Sequence, residues 1–137
     1  MNYRSKLAVA AIVVLGMVSS LAYGKFPDMT IMKGPDCTGR SESKFYNHNV
    51  ARLVNTLVDR TRHGYRDENN DFSFRHSMPN RNPGSPTGGA VCYEDLGKYD
   101  CWNCLLTAKN KIRAGCHKPI SAELVLQDCS IWFRMIP

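Results

Sequence analysis

The sequence predicts an α+β domain built from two amphipathic helices, four or five short strands and three disulfides. Three observations carry that expectation. Two segments repeat apolar residues at helical spacing, and the C-terminal segment alternates apolar with polar residues. Six Cys among 137 residues is a high and even count. The chain is 43% hydrophobic and 22% charged, with about one domain's length. That composition excludes a multidomain enzyme, a long disordered tail and a collagen-like fibre.

Residues 1–24 read as a secretory signal. Arg4 and Lys6 are followed by an apolar run over residues 7–18, and Ala22-Tyr23-Gly24 offers a small-x-small cleavage site. The run is shorter than the roughly 20 residues a spanning helix needs. Nor is any later segment apolar enough to span, so no membrane span is expected. Cleavage leaves residues 25–137 as one domain of about 113 residues. It would carry 16 basic and 12 acidic residues, a net charge of +4. Export places the cysteines in an oxidising compartment. The mature chain contains no Asn-x-Ser/Thr sequon.

Residues 29–32 can form a short first strand. Val50, Leu53, Val54, Leu57 and Val58 then mark one face of a helix over residues 44–63. Ser43 is its expected N-cap, Arg60 and Arg62 fall in the last turn, and Gly64 ends it. Residues 71–75 alternate and suggest a strand. Residues 78–89 read as a long loop, because Pro and Gly crowd there. A further strand is expected over residues 90–93. Cys101, Cys104, Leu105, Ala108 and Ile112 define the second helix, capped by Asp100 or Asp95. Lys109, Lys111 and Arg113 suit its carbonyl end, and Gly115 terminates it. In residues 121–136 the apolar positions switch phase. Ala122, Leu124 and Leu126 are even, whereas Cys129, Ile131 and Phe133 are odd. A strand cannot bury one face through such a switch, so a bulge or turn is expected at Gln127–Asp128.

Cys101-Trp102-Asn103-Cys104 invites two other readings. A structural zinc site would want a second close Cys pair or matching His, and only His117 lies near. A redox Cys-x-x-Cys wants a βαβ context that the sequence lacks. Three structural disulfides are the simpler reading. Six Cys allow 15 connectivities, and spacing alone does not choose among them.

The spacing Cys92-x8-Cys101-x2-Cys104, with Cys116 and Cys129 downstream and Cys37 upstream, resembles the ginkbilobin-2-homologous domain. Gly88-Gly89-Ala90-Val91-Cys92, Asp95-Leu96 and Asp128-Cys129 strengthen the resemblance, which spans residues 29–134. This is the cysteine-rich domain of plant secreted antifungal proteins, receptor-like kinases and plasmodesmata-located proteins. The resemblance implies two helices packed on an antiparallel sheet of about five strands. It also implies the pairs Cys37–Cys116, Cys92–Cys101 and Cys104–Cys129.

Ginkbilobin-like proteins are associated with mannose binding through an Asn, an Arg and a Glu. Those positions fall on Thr38, Glu123 and Arg134 here, and none matches. The site is therefore not carried over. The two charges are exchanged in sign, so a reciprocal acid–base pair is one option and a drifted surface the other. Positions 123 and 134 would lie about 36 Å apart on a straight strand and can meet only through a turn near Asp128.

Other candidates are weaker. His48, His63, His76 and His117 are scattered, and no Ser sits in a nucleophile-elbow motif. Asp67-Glu68 and Glu94-Asp95 could supply paired carboxylates for glycoside hydrolysis, although both look like polar turns. Trp102 and Trp132 could stack on a sugar, with core packing the commoner use. Arg60, Arg62, Arg66, Arg75 and Arg81 form a candidate basic surface. No catalytic set, cofactor, metal or nucleic-acid partner is implied. The expected protein is a secreted, apoplastic, non-enzymatic defence protein. It would be antifungal and lectin-like, binding a mannose-type glycan or an anionic microbial surface. The alternative is an extracellular signalling module that binds a protein partner.

Overall fold

A computed structural model describes residues 28–62, 74–93 and 96–137. The proposed signal, residues 1–24, lies outside the described residues. The elements run in the order β1 (Ile31–Thr38), α1 (Lys44–Arg62), β2 (Arg75–Met78), β3 (Pro86–Cys92), α2 (Lys98–Gly115), β4 (Ser121–Leu126) and β5 (Cys129–Met135). The strands form one antiparallel sheet in the order β1-β4-β5-β3-β2, and both helices pack on the same side. Two helices on a five-stranded antiparallel sheet with three disulfides is the fold class expected from the sequence.

The core lies between the helices and the sheet. From α1, Leu53, Val54, Leu57 and Val58 are buried, as the helical stripe requires. Ser43 caps α1, its Oγ accepting the Tyr46 N–H at 3.1 Å. Cys101, Cys104, Leu105, Ala108 and Ile112 are the buried stripe of α2. Its N-cap is Gly97, with no side-chain cap bond, and Asp100 sits inside the first turn instead. There its carboxylate can favour the helix dipole without capping a backbone N–H. Asp95 lies outside the described residues.

β4 and β5 form a hairpin that turns at Gln127 and Asp128, where the apolar phase switches. Ala122, Leu124 and Leu126 thus face the same core as Cys129, Ile131 and Phe133. The Asp128 carboxylate also accepts the Asp28 N–H, tying the segment before β1 to this turn.

Three strand expectations need correction. The first strand begins at Ile31 and runs to Thr38, through Gly34-Pro35, rather than spanning residues 29–32. A glycine–proline pair reads as a breaker, yet β1 is an edge strand and tolerates Pro and irregular register there. Gly34 is required by its φ of +91° and by close approach, since a Cβ would meet the Glu123 carbonyl oxygen at 2.5 Å. The long loop over residues 78–89 shrinks to a connection between Met78 and Pro86, and β3 starts four residues earlier than expected. Gly88 and Gly89 are strand residues: at Gly88 the backbone of neighbouring β5 leaves no room for a Cβ, and at Gly89 the Trp132 indole occupies that space. Of the strand expected over residues 71–75, Phe74 and Arg75 are described. Phe74 accepts the Cys92 N–H and Arg75 opens β2.

The six cysteines form three disulfides, Cys37–Cys116, Cys92–Cys101 and Cys104–Cys129. Two of them hold the first turns of α2 to β3 and β5, and the third holds its C-terminal end to β1. No free thiol remains for a zinc or redox site. Among the described residues no helix is long and apolar enough to cross a membrane.

Candidate functional site

The alternation that buries one face of the sheet turns the other face outward. Glu123 lies between buried Ala122 and Leu124, and Trp132 between buried Ile131 and Phe133. The register sets Glu123 directly opposite Trp132 on one side and opposite Asp36 of β1 on the other. Arg134 is two residues further along β5, on the same face, opposite Thr87. Thr38 pairs with Ser121 on that face too. The hairpin at Asp128 therefore collects Thr38, Glu123 and Arg134 onto one surface. Glu123 and Arg134 stand diagonal to each other, about 7–8 Å apart by sheet geometry.

Glu123 and Arg134 have different partners. Glu123 Oε1 accepts a hydrogen bond from Lys33 Nζ at 2.6 Å. That hydrogen bond, with the charge of Glu123, holds the Lys33 ammonium pKa above its ordinary value. Asp36 lies 4.0 Å from the same Nζ. The Arg134 guanidinium sits over the Trp132 ring, 5.8 Å from its centroid, in cation–π range. The pairing on this surface is thus Lys33–Glu123 and Arg134–Trp132 rather than Glu123–Arg134. Lys33 had no signal in the sequence, because its contact with Glu123 joins residues 90 apart in the chain.

Trp132 is half-buried at the centre of this surface and is not among the residues packed on the core. Directly opposite it is Gly89, where a Cβ would come within 2.8 Å of the indole Nε1. The indole therefore leans across the bare backbone of Gly89. Trp102 is different: it is half-buried on α2 and packs against the core, edge-on to Tyr99.

The remaining candidates do not converge. Exposed Arg75 is on the outer face of β2, whereas Arg60 is on α1, on the helical side of the sheet. Arg81 lies in the β2–β3 connection. The expected basic surface is thus divided between two faces. The Arg62 side chain and Arg66 lie outside the described residues, as do His63, Asp67-Glu68 and Glu94-Asp95. His48 and His117 are exposed on separate elements. His76 is half-buried on β2, and burial, then the nearby Arg60 charge, lower its imidazole pKa. Among the described residues no three His, Cys, Asp or Glu side chains are grouped to hold a metal ion.

A cysteine-stapled pair of helices on one antiparallel sheet, with a polar, tryptophan-centred outer face, defines the class. The chain belongs to the salt stress response/antifungal family, whose model matches residues 36–135. Its fold is similar to solved tandem DUF26 ectodomains of two Arabidopsis thaliana cysteine-rich receptor-like proteins. For PDLP8 the TM-score is 0.64 at 20% identity, covering 81% of this chain and 46% of the ectodomain. For PDLP5 the TM-score is 0.62 at 20% identity, covering 80% and 46%. The chain thus spans about half the length of those tandem ectodomains. Comparison with curated protein sequences gives no match.

Proposed function

We propose that the protein acts outside the cell as a non-enzymatic defence protein that binds a glycan on the outer face of its sheet. One observation carries the reading: an outward-facing, half-buried Trp132 beside bare Gly89, flanked by Arg134 and the Lys33–Glu123 pair. An indole face suits the C–H face of a pyranose. Hydroxyls, which both donate and accept, suit carboxylate and cation neighbours. Membership of a family named for stress response and antifungal action supports a defence role. Residues 1–24 as an export signal, and three disulfides, support an extracellular location.

The glycan class is the mannose-rich polysaccharide of fungal walls. Its recognition would differ from that of ginkbilobin-like proteins, because Thr38, Glu123 and Arg134 replace their Asn, Arg and Glu. Titration of the oxidised, exported protein with mannan and mannotriose tests the reading. Trp132→Ala should abolish binding, and Glu123→Gln with Arg134→Gln should weaken it at least tenfold. Failure to bind any wall glycan, together with no inhibition of fungal growth, would overturn it.

A second reading is an extracellular module that binds a protein. The fold shared with receptor-like ectodomains favours it, as do the three replaced positions. Recovery of a plant cell-surface protein, lost on Trp132→Ala while glycans go unbound, would select that reading.

A further inference from the structure

On the helical side of the molecule, far from the outer sheet face, α1 and α2 part to leave a groove of about 520 Å³. That volume is within the range of pockets that hold small organic ligands. The N-terminal half of α1 lies beside the C-terminal half of α2. The floor is apolar, made by Val54, Ile112 and Phe133. The rim carries three cations: Lys109 and Arg113, one turn apart on α2, and Lys118 in the following loop. Among the described residues no carboxylate lines the groove. None of the three cations forms an ion pair among the described residues.

The backbone does not supply the missing counter-charge. α1 has no acidic residue in its first turn, and α2 places Arg113 in its last. The positive end of one helix dipole lies beside the negative end of the other, so the two largely offset. The charged side chains that line the groove are all cations. Lys109 and Arg113 are neighbours at i,i+4, an arrangement that costs folding free energy unless an anion lies between them.

We infer that this groove binds a single-chain amphipathic acid. The hydrocarbon chain lies along Val54, Ile112 and Phe133, and the carboxylate is held by Lys109, Arg113 and Lys118. A concave floor of apolar residues below a cationic rim suits a chain that is apolar along its length and acidic at one end, whereas a bilayer surface would need a projecting apolar patch. An acidic peptide would match the rim but leave the floor unfilled. Arg113 offers the carboxylate a two-pronged set of donors, and the two ammonium groups add point charge.

The probe is laurate below its micellar concentration, titrated calorimetrically into the oxidised protein near physiological salt. Dodecanol is the uncharged comparison. Laurate should bind at least tenfold more tightly than dodecanol. The triple variant Lys109→Gln/Arg113→Gln/Lys118→Gln should abolish that preference and leave dodecanol within twofold. Arg113 and Lys118 are exposed and Lys109 is half-buried at the rim, so the fold should persist. If the triple variant fails to fold, Ala51→Trp serves instead. It fills the groove from an exposed position and should weaken both ligands. Absence of laurate binding, equal affinity for acid and alcohol, or unchanged laurate affinity in the variants would each overturn the inference. So would poly-glutamate binding that laurate does not compete. The Trp132→Ala variant should bind laurate normally, so loss of glycan binding and loss of lipid binding remain separable.

Discussion

Gly88 and Gly89 are adjacent on β3, yet adding one methyl group to each should have opposite consequences. A Cβ on Gly88 would meet the Trp132 carbonyl oxygen at 2.5 Å and the Phe133 Cβ at 3.1 Å. Backbone cannot swing aside, so β3 and β5 must separate. Overpacking of this kind costs about 1–3 kcal/mol. The reduced freedom of the unfolded chain returns about 0.4–1 kcal/mol. Gly88→Ala should therefore lose about 1–2 kcal/mol. The atoms nearest to a Cβ on Gly89 all belong to the Trp132 indole, at 2.8 to 3.3 Å. That ring is on the outer face and can lift away. Its loss of contact with Arg134 costs about 0.5–1 kcal/mol at an exposed site, which the same unfolded-state gain offsets. Gly89→Ala should be near neutral in stability but should displace the indole. Urea unfolding measures the first quantity. Native-state fluorescence measures the second, in a Trp102→Phe background so that Trp132 alone reports. The expected pattern is a destabilised Gly88→Ala with unchanged emission, and a stable Gly89→Ala with red-shifted emission and weakened glycan binding. Equal destabilisation of the two variants, or an unshifted spectrum for Gly89→Ala, would refute the placement of the indole over Gly89.

Ser43→Ala should cost about 1 kcal/mol in denaturant unfolding, and Ser43→Gly only a few tenths, because the cap on the Tyr46 N–H is the only feature removed. Replacing cysteine pairs by alanine should follow sequence separation: residues 9, 25 and 79 apart should cost about 2.7, 3.5 and 4.5 kcal/mol in the chain-entropy model. A different order by urea titration would mean that local packing, not chain entropy, dominates. The His76 imidazole, held below its ordinary value by burial and then by Arg60, should titrate low by NMR, and Arg60→Gln should raise its midpoint. Its unfolded form takes up a proton first. Its contribution to stability should thus be complete above the ordinary histidine value and fall as pH drops toward the folded midpoint, and His76→Gln should flatten that slope.

The elements that were legible in the sequence are those whose periodicity is uninterrupted. Val50 through Val58 mark α1 because helical spacing and burial coincide. The parity change between Leu126 and Cys129 marks the β4–β5 turn because one sheet face must stay dry. The same parity also held the key to the outer face. Trp132 is even where Ile131 and Phe133 are odd, so its outward direction was readable, although an aromatic in an apolar strand reads first as core. The expected first strand stops short of Gly34-Pro35, and the expected loop runs through Gly88-Gly89, for one physical reason. Breaker residues mark both turns and strands approached closely by a neighbour, and only the neighbour's position distinguishes them. The Lys33–Glu123 pair and the groove between the helices had no local signature. Each arises from register or docking between segments far apart in the chain.

The exchange of charge at positions 123 and 134 can now be weighed against the pairs that surround it. An acid at position 123 is opposite Asp36, a like charge that would disfavour it, and Lys33 bridges both carboxylates. A cation at position 134 sits two residues from Trp132 on the same face and covers its ring. Each charge therefore has a partner that would be lost if the signs were restored. Glu123→Arg would put a second cation beside Lys33, and Arg134→Glu would remove the cation from the indole. A surface drifting without constraint has no reason to hold such partners on both sides of an aromatic ring. The pattern is instead that of a polar rim with its own internal pairing, around a ring whose opposite neighbour is kept bare by glycine. If so, exchanging the two signs by Glu123→Arg/Arg134→Glu should weaken glycan binding. A gain in mannan affinity would mean instead that the exchanged charges mark a lost site.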